Sequence, residues 1–437
     1  MSAHSNGADS YTNGSIPARA RIFLRLLYPG IGLKRWAAIG AIGVFICSIG
    51  MAFLLRKFFA LPFPDFLPWY FEGFLMLGVG GGFILLSMYG FYRTLIPFMA
   101  RSQPIDSLAD SIYNRWQRGR GPRIVTIGGG TGLSVLLRGL RQHTDNLTAV
   151  ITVADDGGSS GRLRRELGVL PPGDFRNCLV AMSEDESLLA ELFQYRFEEG
   201  DGLKGHSFGN LFIVAMANVT NGFDQALVES SRVLAVRGRV VPATTSNLQL
   251  SARFRDGSMV NGESNITGHK GEIERLMIEP EEAAAHPLAV RAITDAELVV
   301  IGPGSLYSSI LPNLMVSGIS EAVRNTSATV VYVCNVATQV GETSGYTLAE
   351  HVAALRRHTF EEIADYVVAN SNPPDIGDRF EGDGVVHDGS PVKNTTILLS
   401  DLVDDSHPVR HDSGKLADAI MQIHGASDGR ISAIASE

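Results

Sequence analysis

The chain has 437 residues, 45% of them hydrophobic, with 47 glycines, a formal net charge of −9 and three cysteines, Cys47, Cys178 and Cys334. That much apolar content excludes a chain disordered throughout, and the isolated cysteines exclude a disulfide framework or a Cys-based zinc site and fit a reducing compartment. Residues 1–120 hold 12 Lys+Arg against 5 Asp+Glu, so the other 317 residues carry a net −16, which argues against nucleic acid as a partner.

Residues 1–35 open the chain, and their first 18 are small and polar and read as disordered. Residues 36–55 and 73–92 are each 20 long and hold no charged side chain. Each is long enough to cross a hydrocarbon core about 30 Å thick, so both are expected to be transmembrane helices joined by a short Pro-bearing loop. Arg19, Arg21, Arg25, Lys34 and Arg35 precede the first span, and Arg93, Arg101, Arg115, Arg118 and Arg120 follow the second. Only Arg56 and Lys57 lie between, so both termini are expected in the cytoplasm, on a multi-pass protein of the cell membrane. Residues 93–120 read as a linker and 121–437 as the large domain, with a disordered tail from about residue 425.

From residue 121 the pattern changes. Apolar, strand-like runs at 124–127, 149–153, 298–301, 329–334 and 366–369 each stop at Gly, Asn or Asp, with helical stretches between them. Near-continuous apolar strands alternating with helices predict an α/β fold, a Rossmann-like, doubly wound, mainly parallel sheet whose ligands bind beyond the strands' carboxyl ends. Residues 248–254 alternate apolar and polar, Asp256-Gly257 supplies a turn and Met259-Val260 follows, which predicts an inserted β-hairpin.

The informative loops follow the strands. Gly128, Gly129, Gly130, Thr131 and Gly132 open a helix expected over 133–142, where bare amides and the helix dipole favour an anion. The spacing is not G-x-G-x-x-G, which argues against an NAD-dependent dehydrogenase, and a tight structural turn would look similar. Asp155 and Asp156 end the second strand, where an acid reads a ribose or holds a metal, or where two Asp simply make a solvated turn. Pro171–Asn177 combines Asp174, Arg176 and Asn177, able to hold a phosphate or hydrated metal, or alternatively to enter a helix with Asp174 as its cap. His206, Ser207 and Asn210 precede an apolar helix expected over 211–217 and aim at one point. Gly302, Gly304, Ser305 and Tyr307 suit a second anion loop, with Tyr307 able to stack on a base or bond a phosphate. No Walker lysine follows any of these loops, and no nucleophile elbow is present.

Together these blocks, with Val236–Val240, Cys334-Asn335 and Gly341–Thr343, resemble the YvcK branch of the CofD-like superfamily, the gluconeogenesis-factor proteins, over about residues 121–370. The transmembrane hairpin lies outside that resemblance. The resemblance implies a Rossmann-like domain that binds UDP-sugars such as UDP-N-acetylglucosamine and supports cell shape and wall integrity during gluconeogenic growth, with no established reaction. It also implies an alternative, because the CofD cousins are magnesium-dependent 2-phospho-L-lactate transferases. Ligand binding, not catalysis, is what it carries to the loop 128–132, Asp155, Asp156, Asp174, Asn177, His206, Asn210 and the loop 302–307. Magnesium as a cofactor, a homo-oligomer and the identity of protein partners stay open.

Overall fold

The computed structural model describes residues 33–59, 69–99, 117–183, 188–377 and 380–427. The chain divides into two compact units, Met1–Gln117 and Arg118–Glu437. The disorder expected over residues 1–18 lies outside the described residues; of the linker expected over 93–120, residues 93–99 instead continue the helix Trp69–Met99 and 100–116 lie outside the described residues, while the tail expected from about residue 425 is helical as far as Ser427.

In the first unit, helices Leu33–Phe59 and Trp69–Met99 run antiparallel. Their contact is lined by small residues: a Cβ on Gly43 would stand 2.8 Å from Gly80 O, and one on Gly50 would stand 2.9 Å from Met76 Cβ. Ser87 Oγ donates to Trp36 O at 2.7 Å across the same seam. Small residues let two backbones approach, while the outward faces carry Phe45, Phe74 and Leu85, each at least 65% exposed. Residues 35–55 and 73–93 are long and apolar enough to cross a membrane by length and composition.

The second unit is built on a seven-stranded sheet in the order β10-β9-β8-β7-β1-β2-β3, all pairings parallel. Its strands are β1 Ile124–Gly128, β2 Leu147–Ile151, β3 Arg239–Pro242, β7 Leu298–Ile301, β8 Thr329–Val333, β9 Tyr366–Asn370 and β10 Thr396–Ser400. Strands β1, β2 and β7 are buried almost throughout, because helices cover both faces and leave an apolar layer on each. The chain winds outward from β1 to β3 in one direction and from β7 to β10 in the other. Between β1 and β7 the winding reverses, which opens a crevice above their carboxyl ends.

Between β3 and β7 the chain makes a separate three-stranded antiparallel sheet in the order β5-β4-β6, from β4 Gln249–Phe254, β5 Met259–Asn261 and β6 Ile273–Glu279. The expected hairpin is β4 and β5; the third strand and the short helix Glu263–Gly268 were not expected, since β6 carries charges at Glu274, Arg275 and Glu279. A two-stranded ribbon, β11 Val403–Asp404 with β12 His407–His411, precedes the last helix.

Candidate functional site

The two glycine-rich loops meet at the reversal point. β1 ends at Gly128, and Gly129 stands at the N-cap of helix Gly130–Leu140. Having no side chain, Gly129 leaves the leading amides of that helix without the usual capping oxygen, and Gly130 turns at φ +69°. After β7, Gly302 and Gly304 turn at φ +79° and +153°. The loops touch so closely that a Cβ on Gly132 would stand 3.0 Å from Pro303 O, and one on Gly304 would stand 3.1 Å from Gly129 O. Two asparagines fix this junction. Asn335 Oδ1 accepts from Gly304 N–H at 3.1 Å while its Nδ2 donates to Gly304 O at 2.9 Å, and Asn313 Nδ2 donates to Gly128 O at 3.0 Å.

Beside the junction lies a cleft of about 360 Å³, walled by residues 129–132, Ser305, Gln339, Phe380, Arg410 and His411. Arg410 is the one Lys or Arg among the described residues that line it. His411 Nε2 donates to Cys334 O at 3.2 Å, and burial holds its pKa down at about 4, so the ring is neutral.

On the other side of Gly129 and Gly130 the character is acidic. Asp155 Oδ1 accepts from Gly157 N–H at 2.9 Å and the side chain also bonds Ser160, yet burial raises its pKa. Asp174 sits in the first turn of helix Gly173–Met182 and accepts from Gly130 N–H. Burial first, and then the Asp155 charge, push the Asp174 pKa up to about 6. Asp156 faces elsewhere: it accepts from Glu263 N–H at 2.9 Å, Ser264 N–H at 3.0 Å and Ser264 Oγ at 2.6 Å, so it caps helix Glu263–Gly268. Glu263 joins the cluster, its pKa raised to about 7 by burial and then by Asp155, Asp156, Glu342 and Asp174. No three His, Cys, Asp or Glu side chains among the described residues are grouped to hold a metal ion. Asp155 and Asp174 do suit magnesium in another way, since that ion is commonly held by one or two carboxylates together with ligand phosphates.

The remaining expected site residues divide. Gly128–Gly132, Gly302, Gly304 and Ser305 form the junction and cleft, and Asp155 and Asp174 the acidic side. Arg176, His206 and Asn210 lie behind it in a buried network, with half-buried Asn177 at its edge. His206 Nδ1 accepts from Ser159 Oγ at 2.9 Å, Ser159 Oγ accepts from Asn210 Nδ2 at 3.0 Å, and Asn210 Oδ1 accepts from Arg176 at 3.2 Å. Arg176 also bonds Ser207 and Asn177. Burial lowers the His206 pKa, and none of the four lines the cleft. Tyr307 is a correction: it is wholly buried, its hydroxyl 3.1 Å from that of Tyr346, so it cannot stack on a base. It belongs to a π-helical turn, Leu306–Ile310, that drives the ring into the core. Sequence reasoning missed Glu263, Arg164 and Arg410 as participants, and used Asn335 and Glu342 only as parts of matching blocks. Arg164 is buried, and its guanidinium donates to Val153 O, Ala154 O, Asp155 O and Leu248 O.

The family model for 2-phospho-L-lactate transferase CofD matches residues 124–423. The chain is 42% identical over 433 residues to a Nostoc sp. relative, covering 94% of each, and 36% identical over 440 residues to one from Deinococcus radiodurans, covering 95% of this chain and 91% of the other. Both are named as gluconeogenesis factors. The "Gluconeogenesis factor" of Bacillus subtilis is 44% identical over 313 residues, which cover 99% of it but 70% of this chain. A crystal structure of a Bacillus halodurans protein is similar with a TM-score of 0.67 and 44% identity, over 69% of this chain and all of that one. A shared fold at that identity, a family model spanning most of the second unit and relatives along the whole length agree: the chain belongs to the CofD-like family, in its gluconeogenesis-factor, or YvcK-type, branch.

Proposed function

We propose that the second unit binds a UDP-sugar, of the kind of UDP-N-acetylglucosamine, and acts as a regulatory protein in cell shape and wall integrity during gluconeogenic growth. The observation that carries the binding reading is the junction of the two glycine loops at the β1/β7 reversal, beside a cleft where Arg410 is the one lining cation among the described residues. The helix-start amides beyond Gly130, whose own N–H Asp174 takes, together with one guanidinium are a donor set for a diphosphate. The regulatory role rests on the branch of the family rather than on geometry. The apolar hairpin would tether the domain at the membrane, and the Nostoc and Deinococcus alignments leave too few residues out to exclude it.

A magnesium-dependent phospholactyl transfer is the second reading, favoured by Asp155 and Asp174 beside the first loop. Those two carboxylates would hold the ion, which when bound would neutralise phosphate charge. The full chain in detergent, titrated calorimetrically with UDP-N-acetylglucosamine, UDP-glucose, NAD and GTP with magnesium or with EDTA, separates the readings. Binding of UDP-sugars that persists in EDTA is expected. Phospholactyl transfer to a deazaflavin alcohol would overturn the regulatory reading, and failure to bind any UDP-sugar would overturn the ligand.

A further inference from the structure

The three-stranded lobe inserted between β3 and β7 is gripped by the core at both ends of its helix, Glu263–Gly268. At the start, Asp156 takes the Glu263 and Ser264 amides and the Ser264 hydroxyl. Gly262 turns at φ +92°, where a Cβ would stand 2.9 Å from Asp156 Oδ2, so the close approach requires glycine. At the far end Thr267 O fills the space that a side chain on Gly341 would need. Arg164 adds a third tie, joining the carbonyls after β2 to Leu248 O at the base of the lobe.

These grips set the Glu263 carboxylate beside Asp155 across Gly157, where a Cβ would stand 3.4 Å from Asp155 Oδ1 and 3.9 Å from Glu263 Oε2, and the charges of Asp155, Asp156, Glu342 and Asp174 add to burial in raising its pKa. Glu342 is 3% exposed; its Oε2 accepts from Tyr307 N–H at 2.9 Å and from Ser308 N–H at 3.4 Å, and its Oε1 has no partner among the described residues. A buried acceptor left unmet costs about 1–3 kcal/mol, and a ligand bearing O–H or N–H donors relieves that cost. A bare diphosphate would be repelled by the same carboxylates.

Resting on the UDP-sugar reading above, we infer that the lobe is a specificity arm: Asp156 is a positioning residue that holds Glu263 over the acidic side, and Glu263 with Glu342 receives the hydroxyl and amide donors of the sugar. The glycine loops and Arg410 then take the phosphates across the Gly129-Gly130 divide.

The test uses the full chain in detergent, with affinities for UDP-N-acetylglucosamine and for UDP, each in EDTA and in magnesium. Glu263→Gln is expected to weaken the UDP-sugar by about tenfold, the worth of one hydrogen bond to a charged group, and to leave UDP within about twofold. Asp156→Ala should give the same split, and Asp156→Asn, which keeps an accepting oxygen, should recover part of it. Without ligand, amide hydrogen exchange across 263–268 should quicken about tenfold or more in Asp156→Ala and not in Glu263→Gln. Equal losses for UDP and UDP-sugar, or a loss seen only with magnesium, would overturn the sugar assignment. Unchanged exchange in Asp156→Ala would overturn the positioning role. A wild-type chain that binds neither compound overturns the UDP-sugar reading and the sugar assignment with it, while exchange still decides Asp156.

Discussion

The carboxylate of Asp174 occupies the space where a side chain on Gly129 would begin, and Thr152 Cγ2 closes the same space at 2.8 Å from that position. The acid and the first phosphate-type loop are therefore packed as one piece, each fixing the other. Gly129 has an extended backbone, φ −177°, that any residue can adopt, so contact with Asp174 and Thr152 rather than backbone strain is what requires glycine there.

Gly129→Ala should destabilise the domain by about 1–3 kcal/mol through overpacking. The midpoint of urea unfolding measures it. In an Asp174→Ala background the same change should cost clearly less, since the clash with the carboxylate is gone; equal costs in the two backgrounds would show that Asp174 is not the obstacle.

Asp174 also sets a pH dependence. Its folded pKa, about 6, lies above the unfolded value of about 3.9, so the fold binds the proton more tightly than the unfolded chain does. The stabilisation from that proton is whole below about pH 3.9 and is lost as pH rises through about 6. Asp174→Asn does not titrate. The difference in stability, variant minus wild type, should therefore rise between pH 4 and pH 7 by about 2 kcal/mol, in favour of the variant, as read from unfolding midpoints across that range. A flat difference would contradict the burial of this acid.

The sequence made the sheet legible because its strands are buried on both faces and read as unbroken apolar runs. Observed β7 spans the expected residues, and β1 and β9 each run one residue further. β3 went unseen because Arg239 and Pro242 at its ends leave only two apolar residues between them, and β6 because an exposed face puts charges in the strand. At the site, glycines betray loops since their backbone demands are local. The roles of side chains were less legible: Asp155 and Asp156 are neighbours in sequence, yet one joins the acidic side and the other caps a helix 107 residues away. Tyr307 follows an anion-type loop and turns inward because the π-helical turn rotates it there. Glu263 and Arg410 reach the site from the inserted lobe and the final ribbon, at separations that no local pattern reveals.

Arg164 should be a stability-sensitive cation of the domain. Its four carbonyl partners are buried or nearly so, and removing the guanidinium leaves them without donors. Arg164→Met, which keeps much of the volume, is expected to lower stability by about 3 kcal/mol or more, while Arg165→Met, next door on the exposed face, should change it by less than about 0.5 kcal/mol. Thermal unfolding of the two variants makes the comparison. Equal effects would mean that the Arg164 bonds contribute nothing net.

Arg410 gives the sharpest test of the ligand. It is the one lining cation of the cleft among the described residues and is exposed, so Arg410→Gln should leave the unfolding midpoint within about 0.5 kcal/mol of wild type. A guanidinium bonded to a diphosphate is worth about 1.5–3 kcal/mol, so the same variant should weaken a UDP-sugar by about tenfold to a hundredfold. Because the interaction is with charge, the wild-type affinity should also fall as salt is raised, and the variant's should fall less. Calorimetry on both chains at low and high salt reads each effect. An affinity unchanged by the substitution would move the phosphates out of this cleft and leave the uncovered amides of the glycine loops without the ligand assigned to them.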